Sequence, residues 1–266
     1  MLGKLLKHEF KATYRVFLPL FAALAALAFI NRLTIWNETG MFGGLMVFLY
    51  VLIVIAVFIA SIIVVLSRFY TNLLGDEGYL MFTLPVTVDQ NIVSKLIAGL
   101  VWSVASFIAV LVSIGLMAPA EKLSYAIESI AQAWKAAVQV YPSFATVFWA
   151  VYVPVVIVTV VISILQFYAS MAIGPMLVKN RFWGTVVAYI AISFVNRLLS
   201  GLIALLPMGK YLTAPDVLAS AAAPVSIELF SQMMIATLIT NIAFGVLYYF
   251  AASVVLKKRL NLGAGR

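Results

Sequence analysis

The stretch "FGGLMVFLYVLIVIAVFIASIIVVL", residues 42–66, contains no charged side chain. At about 1.5 Å of rise per residue a helix of this length crosses about 30 Å of hydrocarbon. Hydrocarbon offers no water to a backbone amide, so a spanning segment is a helix or part of a closed barrel, and this run lacks the strict alternation of a barrel strand. Similar runs recur along the chain, giving spans at about 16–33, 42–66, 96–118, 144–177, 182–206 and 229–256. Composition agrees: 65% of the 266 residues are hydrophobic and 10% are charged, against about 25% charged in soluble domains. The expectation is an all-α integral membrane protein with six transmembrane helices. It is read as a single transmembrane domain over residues 1–266, with an interfacial helix at 1–15, six spans within 16–256 and a tail at 257–266.

Six spans place both termini on one side, and Lys and Arg choose the side. Lys4, Lys7, Lys11 and Arg15 precede the first span, Arg68 and Lys95 flank the connection between spans two and three, and Lys179 and Arg181 fill the connection between spans four and five. Lys257, Lys258, Arg259 and Arg266 end the chain, whereas the other face carries only Arg32, Lys122, Lys135 and Lys210. The termini and the 68–96 connection are therefore expected in the cytoplasm of a multi-pass inner-membrane protein. The net charge of +8 follows from this asymmetry and from contact with anionic lipid, with no need for nucleic acid. With no cysteine and a single histidine, His8, neither a disulfide framework nor a Cys/His metal site is expected.

The basic lead followed by "ALAALA" has the outline of a signal peptide. Its helical spacing points elsewhere, with Leu2, Leu5, Leu6, Phe10 and Phe17 on one face and Lys4, Lys7, His8, Lys11 and Arg15 on the other. That pattern predicts an interfacial helix turning into span one near Pro19, serving as an anchor or as a mechanical element. On the outer side, Leu123, Ile127, Ile130, Trp134, Val138 and Tyr141 form one stripe of an amphipathic helix. The segment 207–226, broken by Pro215 and Pro224 with Thr213 and Asp216 able to cap a short helix, is a cover for span ends or a gate.

The connection "RFYTNLLGDEGYLMFTLPVTVDQNIVSKL", residues 68–96, gathers Asp76, Glu77 and Asp89, three of only nine acidic residues. Asp76 and Glu77 stand where a short helix would begin and meet its free amides and dipole. Gly75 and Gly78 permit a tight approach and Pro85 ends the run. Thr87 and Gln90 then match a capping box that opens the next helix. Tyr79, Leu80, Met81, Phe82 and Leu84 are too apolar for a solvated loop, and lie either in the lipid interface or in a pocket of another protein.

"NLLGDEGYLMFTLPV", followed by a polar turn and "SKL", resembles the first cytoplasmic loop of permease subunits of the type 2 class of ATP-binding-cassette transporters. It is most similar to the small six-span bacterial permeases. The likeness covers the layout of the whole chain and, as a motif, residues 72–96; Thr71 stands where a basic residue is expected. The resemblance implies that Gly75, Asp76, Glu77, Gly78, Tyr79, Leu80, Met81, Phe82 and Leu84 act as a coupling helix docked on a cytoplasmic ATPase subunit. It also implies a second permease chain, as homodimer or heterodimer, and an exporter. No G-x-x-x-x-G-K-[ST] occurs, since Gly3-Lys4 and Gly209-Lys210 are followed by Leu5 and Tyr211. No catalytic residue or cofactor is thus expected in this chain, and ATP and magnesium belong to the partner. Ala22, Ala25, Ala26 and Ala28 suit close helix contact, between copies or within the chain.

Polar residues inside the spans are few. Arg197 falls about 15 residues into span five, roughly 22 Å from its start, where it either snorkels outward or, with Asn196, meets an anionic substrate group. Gln166 and Asn241 either line a translocation path or join helices by hydrogen bonds. With no Asp or Glu deep in a span, a proton-driven carrier lacks its relay. A secondary transporter or channel is the rival class, and would leave the apolar helix at 76–84 unexplained. A path of apolar and aromatic residues with isolated amides suits an amphipathic cargo, such as a peptide, a lipid-like molecule or a drug, better than an ion that must replace its hydration.

Overall fold

The computed structural model describes residues 2–37, 41–71, 87–178, 180–212 and 227–263, and all regular structure among them is helical. Among the described residues seven helices follow one another: α1 (Leu2–Asn37), α2 (Met41–Phe69), α3 (Val88–Met117), α4 (Ala120–Val140), α5 (Phe144–Leu177), α6 (Arg181–Leu212) and α7 (Ile227–Gly263). All but α4 are long and apolar enough to cross a membrane. Their outward faces carry Phe48, Ile59, Ile63, Phe107, Leu111, Ile190, Phe194 and Leu247, each left exposed. Side chains of this kind are stable against lipid and not against water. The chain is a multi-pass membrane protein.

The chain packs as two compact units, Met1–Gln132 and Ala133–Arg266. In the first, α1 packs on α2 and α3, and α2 packs on α3. The core is Leu24 and Ala28 of α1, Tyr50 and Val57 of α2 and Val110 of α3. Polar groups fix the register. Asn31 donates to the Met46 carbonyl at 3.0 Å, Tyr50 Oη meets Ser113 Oγ at 2.7 Å, and Ser61 Oγ meets Ser106 Oγ at 2.8 Å. Partner numbers that fall along α3 as they rise along α2 define antiparallel neighbours, while the Glu9–Lys95 and Thr13–Trp102 contacts rise together along α1 and α3. The three helices run up, down and up.

The expected turn near Pro19 is absent: α1 is unbroken from Leu2 to Asn37 with Pro19 inside it. Proline removes one intrahelical hydrogen bond, but Thr13 and Phe17 before it and Leu24 and Ala28 after it all lie buried within the same unit. Packing on both sides holds the axis through the lesion. Leu5, Leu6 and Phe10 are half-buried, while Lys4, Lys7, His8, Lys11 and Arg15 are exposed.

In the second unit α5 packs on α6 and α7, which also touch. α5 and α6 form a tight hairpin in which Gly174 and Gly184 cross backbone to backbone; a Cβ on Gly174 would lie 2.5 Å from the Thr185 nitrogen. Phe167 stacks on Tyr189 with centroids 4.5 Å apart. Near its start α5 widens into a π-turn at Phe148–Tyr152, where the Val153 N–H donates to the Phe148 carbonyl, five residues back. Pro154 explains the widening, because it has no N–H to offer the carbonyl of Ala150. Hydroxyls of Thr159, Ser163, Ser170, Thr237 and Thr240 return to the carbonyl four residues earlier, which satisfies them without water.

Candidate functional site

The residues expected to form a coupling helix, Gly75, Asp76, Glu77, Gly78, Tyr79, Leu80, Met81, Phe82 and Leu84, lie outside the described residues, as do Thr213 and Asp216. The elements that bracket residues 72–86 are described. α2 has Arg68 in its last turn, and the Thr71 hydroxyl donates to the Ser67 carbonyl at 2.8 Å. α3 opens with the capping box expected at Thr87: the Gln90 N–H donates to Thr87 Oγ1 at 3.2 Å and the Thr87 N–H to Gln90 Oε1 at 3.4 Å. Two otherwise orphaned amides are thereby satisfied, and the start of α3 is fixed locally.

Two turns into α3, Lys95 meets Glu9 of α1 at 2.5 Å, both side chains almost wholly buried. The Thr13 hydroxyl donates to the Glu9 carbonyl at 2.8 Å and accepts the Trp102 indole N–H at 2.7 Å. Trp102 stacks on Phe17 with centroids 4.2 Å apart. Glu9, Thr13, Arg68, Lys95 and Trp102 line one crevice among α1, α2 and α3. One turn before Lys95, Asn91 is fully buried with neither amide atom hydrogen-bonded. The connection between α2 and α3 thus emerges from a base built on an ion pair, a cap and an aromatic stack. The chain matches no family model, no curated protein and no solved structure.

The four candidate path residues all lie in the second unit. Gln166, buried on α5, donates to Ser193 Oγ of α6 at 2.6 Å. Asn241 of α7 donates to Thr159 Oγ1 of α5 at 3.0 Å. Asn196 accepts from Ser200 on its own helix at 3.2 Å, and Arg197 is exposed on α6. The amides of Gln166 and Asn241 therefore join helices, each to a different hydroxyl, and Arg197 is not gathered with them by any of these bonds. Ala28 is packed inside the first unit, whereas Ala22, Ala25 and Ala26 are exposed.

Reading the sequence along its length missed Glu9. Its partner lies 86 positions away, beyond the reach of any local pattern. The available signal was its spacing: Glu9, Thr13 and Phe17 are i, i+4 and i+8 on one helix face, and all three are buried. A lone carboxylate in line with buried residues of a membrane helix calls for a cation on a neighbouring helix.

Proposed function

We propose that this chain is the membrane-spanning permease subunit of an ATP-driven exporter, in which residues 75–84 couple a separate ATP-binding-cassette ATPase to the movement of an amphipathic substrate. The observation that carries the reading is "GDEGYLMFTLP" between two membrane-length helices, released by a capping box, in a chain without a P-loop. A run of aromatic and aliphatic side chains headed by two carboxylates, between two spans, suits a receiving pocket on a partner. The basic clusters support a cytoplasmic location for the termini and this segment, where ATP is supplied. The N-terminal turns of α1 continue the axis of the span beyond Pro19, and Lys4, Lys7 and Lys11 at that end suit contact with lipid phosphates. A second permease chain provides the second docking site for a pair of ATPase domains.

Reconstitution tests this. The chain alone in proteoliposomes is expected to show no nucleotide-driven transport, whereas the chain purified with its ATPase moves amphipathic peptides or lipid-like molecules and its ATPase rate rises with them. Nucleotide-driven transport by the chain alone would overturn the reading. Stimulation by simple cations with none by any amphiphile would replace the cargo with an ion.

A further inference from the structure

Among the described residues α4 is the one long helix that is not apolar enough to cross a membrane, and it has no buried residue along its 21 positions. Its side chains are nevertheless ordered by polarity. On a helix turning 100° per residue, Leu123, Ile127, Ile130 and Trp134 fall in one narrow stripe, while Glu121, Glu128 and Lys135 lie across from it. Leu123, Ile127 and Ile130 are 37, 58 and 71% exposed, so within the first unit protein does not cover these three members of the stripe.

Three observations say what covers it. α4 begins only two residues, Ala118 and Pro119, after the membrane-length α3 ends at Met117, so its first turns start at the level where that span leaves the hydrocarbon. Its own Trp134 is nested edge-on against Phe144 and Phe148, with centroids 5.3 and 5.1 Å apart. Those rings, together with exposed Trp149, form an aromatic cluster on the first turns of the α5 span, and clusters of this kind sit at the headgroup level. The polar face carries Glu121 and Glu128 against Lys122 and Lys135, which balance, so attraction to anionic lipid contributes little and burial of apolar area is the driving term.

We propose that α4 is an interfacial helix that inserts Leu123, Ile127 and Ile130 among the acyl chains of the leaflet at which α3 ends. The stripe recognises the hydrocarbon boundary itself and is indifferent to headgroup charge. This is independent of what the protein transports and of any ATPase.

The chain has no cysteine, so single substitutions Ile127→Cys, Ile130→Cys and Glu128→Cys give unique spin-label sites in the full-length protein. Labelled protein is placed in nanodiscs of phosphatidylcholine, and in nanodiscs containing one third phosphatidylglycerol. Labels at 127 and 130 are expected to collide preferentially with oxygen, and the label at 128 with a water-soluble nickel chelate, in the same pattern in both lipids. Equal nickel accessibility at all three sites would overturn the proposal in favour of a solvated helix. Dipolar broadening between labels at 127 or 130 would overturn it in favour of a second copy of the chain. Should a label disturb folding, Ile130→Trp with brominated lipid is the second arm, read as the difference from the parent protein with its five tryptophans: quenching of the added emission supports insertion and its absence refutes it.

Discussion

Removing one member of the Glu9–Lys95 pair leaves the other as a charge held away from water, and breaking a buried pair costs about 3–5 kcal/mol. Glu9→Gln is therefore expected to lower the thermal unfolding midpoint in detergent strongly. Glu9→Met combined with Lys95→Met should recover most of the loss, because two apolar side chains of similar volume need no partner. A Glu9→Gln protein as stable as the parent would show that the pair is hydrated and contributes nothing. Asn91 behaves in the opposite sense. Its amide is buried without a partner, a condition that costs about 1–3 kcal/mol, so Asn91→Leu is expected to raise the midpoint; a fall would show that the amide is engaged. Neither effect was legible in the sequence. Lys95 reads as one more flanking cation and Asn91 as a polar residue in a first turn, since burial depends on which helix lies opposite. The Thr87–Gln90 cap was legible, because both of its hydrogen bonds are made within three residues.

Helix hairpins in a membrane close by contact of small residues, and the α5–α6 hairpin takes this to its limit at Gly174 and Gly184. Gly174→Ala would drive a methyl group into the backbone of Gly184 and Thr185, which cannot move aside as a flexible side chain can. We expect α5 and α6 to splay, breaking the Gln166–Ser193 bond and the Phe167–Tyr189 stack, with a loss of at least about 1–3 kcal/mol. Gly201→Ala on α6 is the control, as its Cβ meets nothing within 4 Å; it should be neutral or slightly stabilising through helix propensity. Equal midpoints for the two variants would sink this account of the hairpin. Span existence was readable from hydropathy because hydrocarbon thickness imposes a length on every crossing helix. The course of α1 was not, since proline signals a break locally while contacts of Phe17, Leu24 and Ala28 decide otherwise. The π-turn at Phe148–Tyr152 belongs to the same class: Pro154 marks the place, but whether the helix kinks, stops or widens depends on its packing.

A machine whose energy source is a separate polypeptide needs a mechanical joint, and in this chain the joint is proposed to be residues 75–84, between α2 and α3. The base of that joint is stiff, with the cap at Thr87 and the Glu9–Lys95 pair tying the first turns of α3 to α1. A displacement of the segment would thus be passed to two spans instead of dissipating in a loop. Asp76 and Glu77 fall outside the six apolar runs of the sequence, so reversing both to lysine puts no charge into an apolar run, and the protein should insert and purify in normal amount. Transport should fall at least tenfold while the ATPase subunit either fails to bind or hydrolyses ATP without regard to substrate. Comparing Asp76→Lys/Glu77→Lys with Glu9→Gln separates two kinds of failure, since the first leaves the unfolding midpoint unchanged and the second lowers it. Normal assembly with the ATPase together with normal transport in the doubly reversed protein would remove residues 75–84 from the coupling path and leave the six-helix membrane domain without an assigned engine.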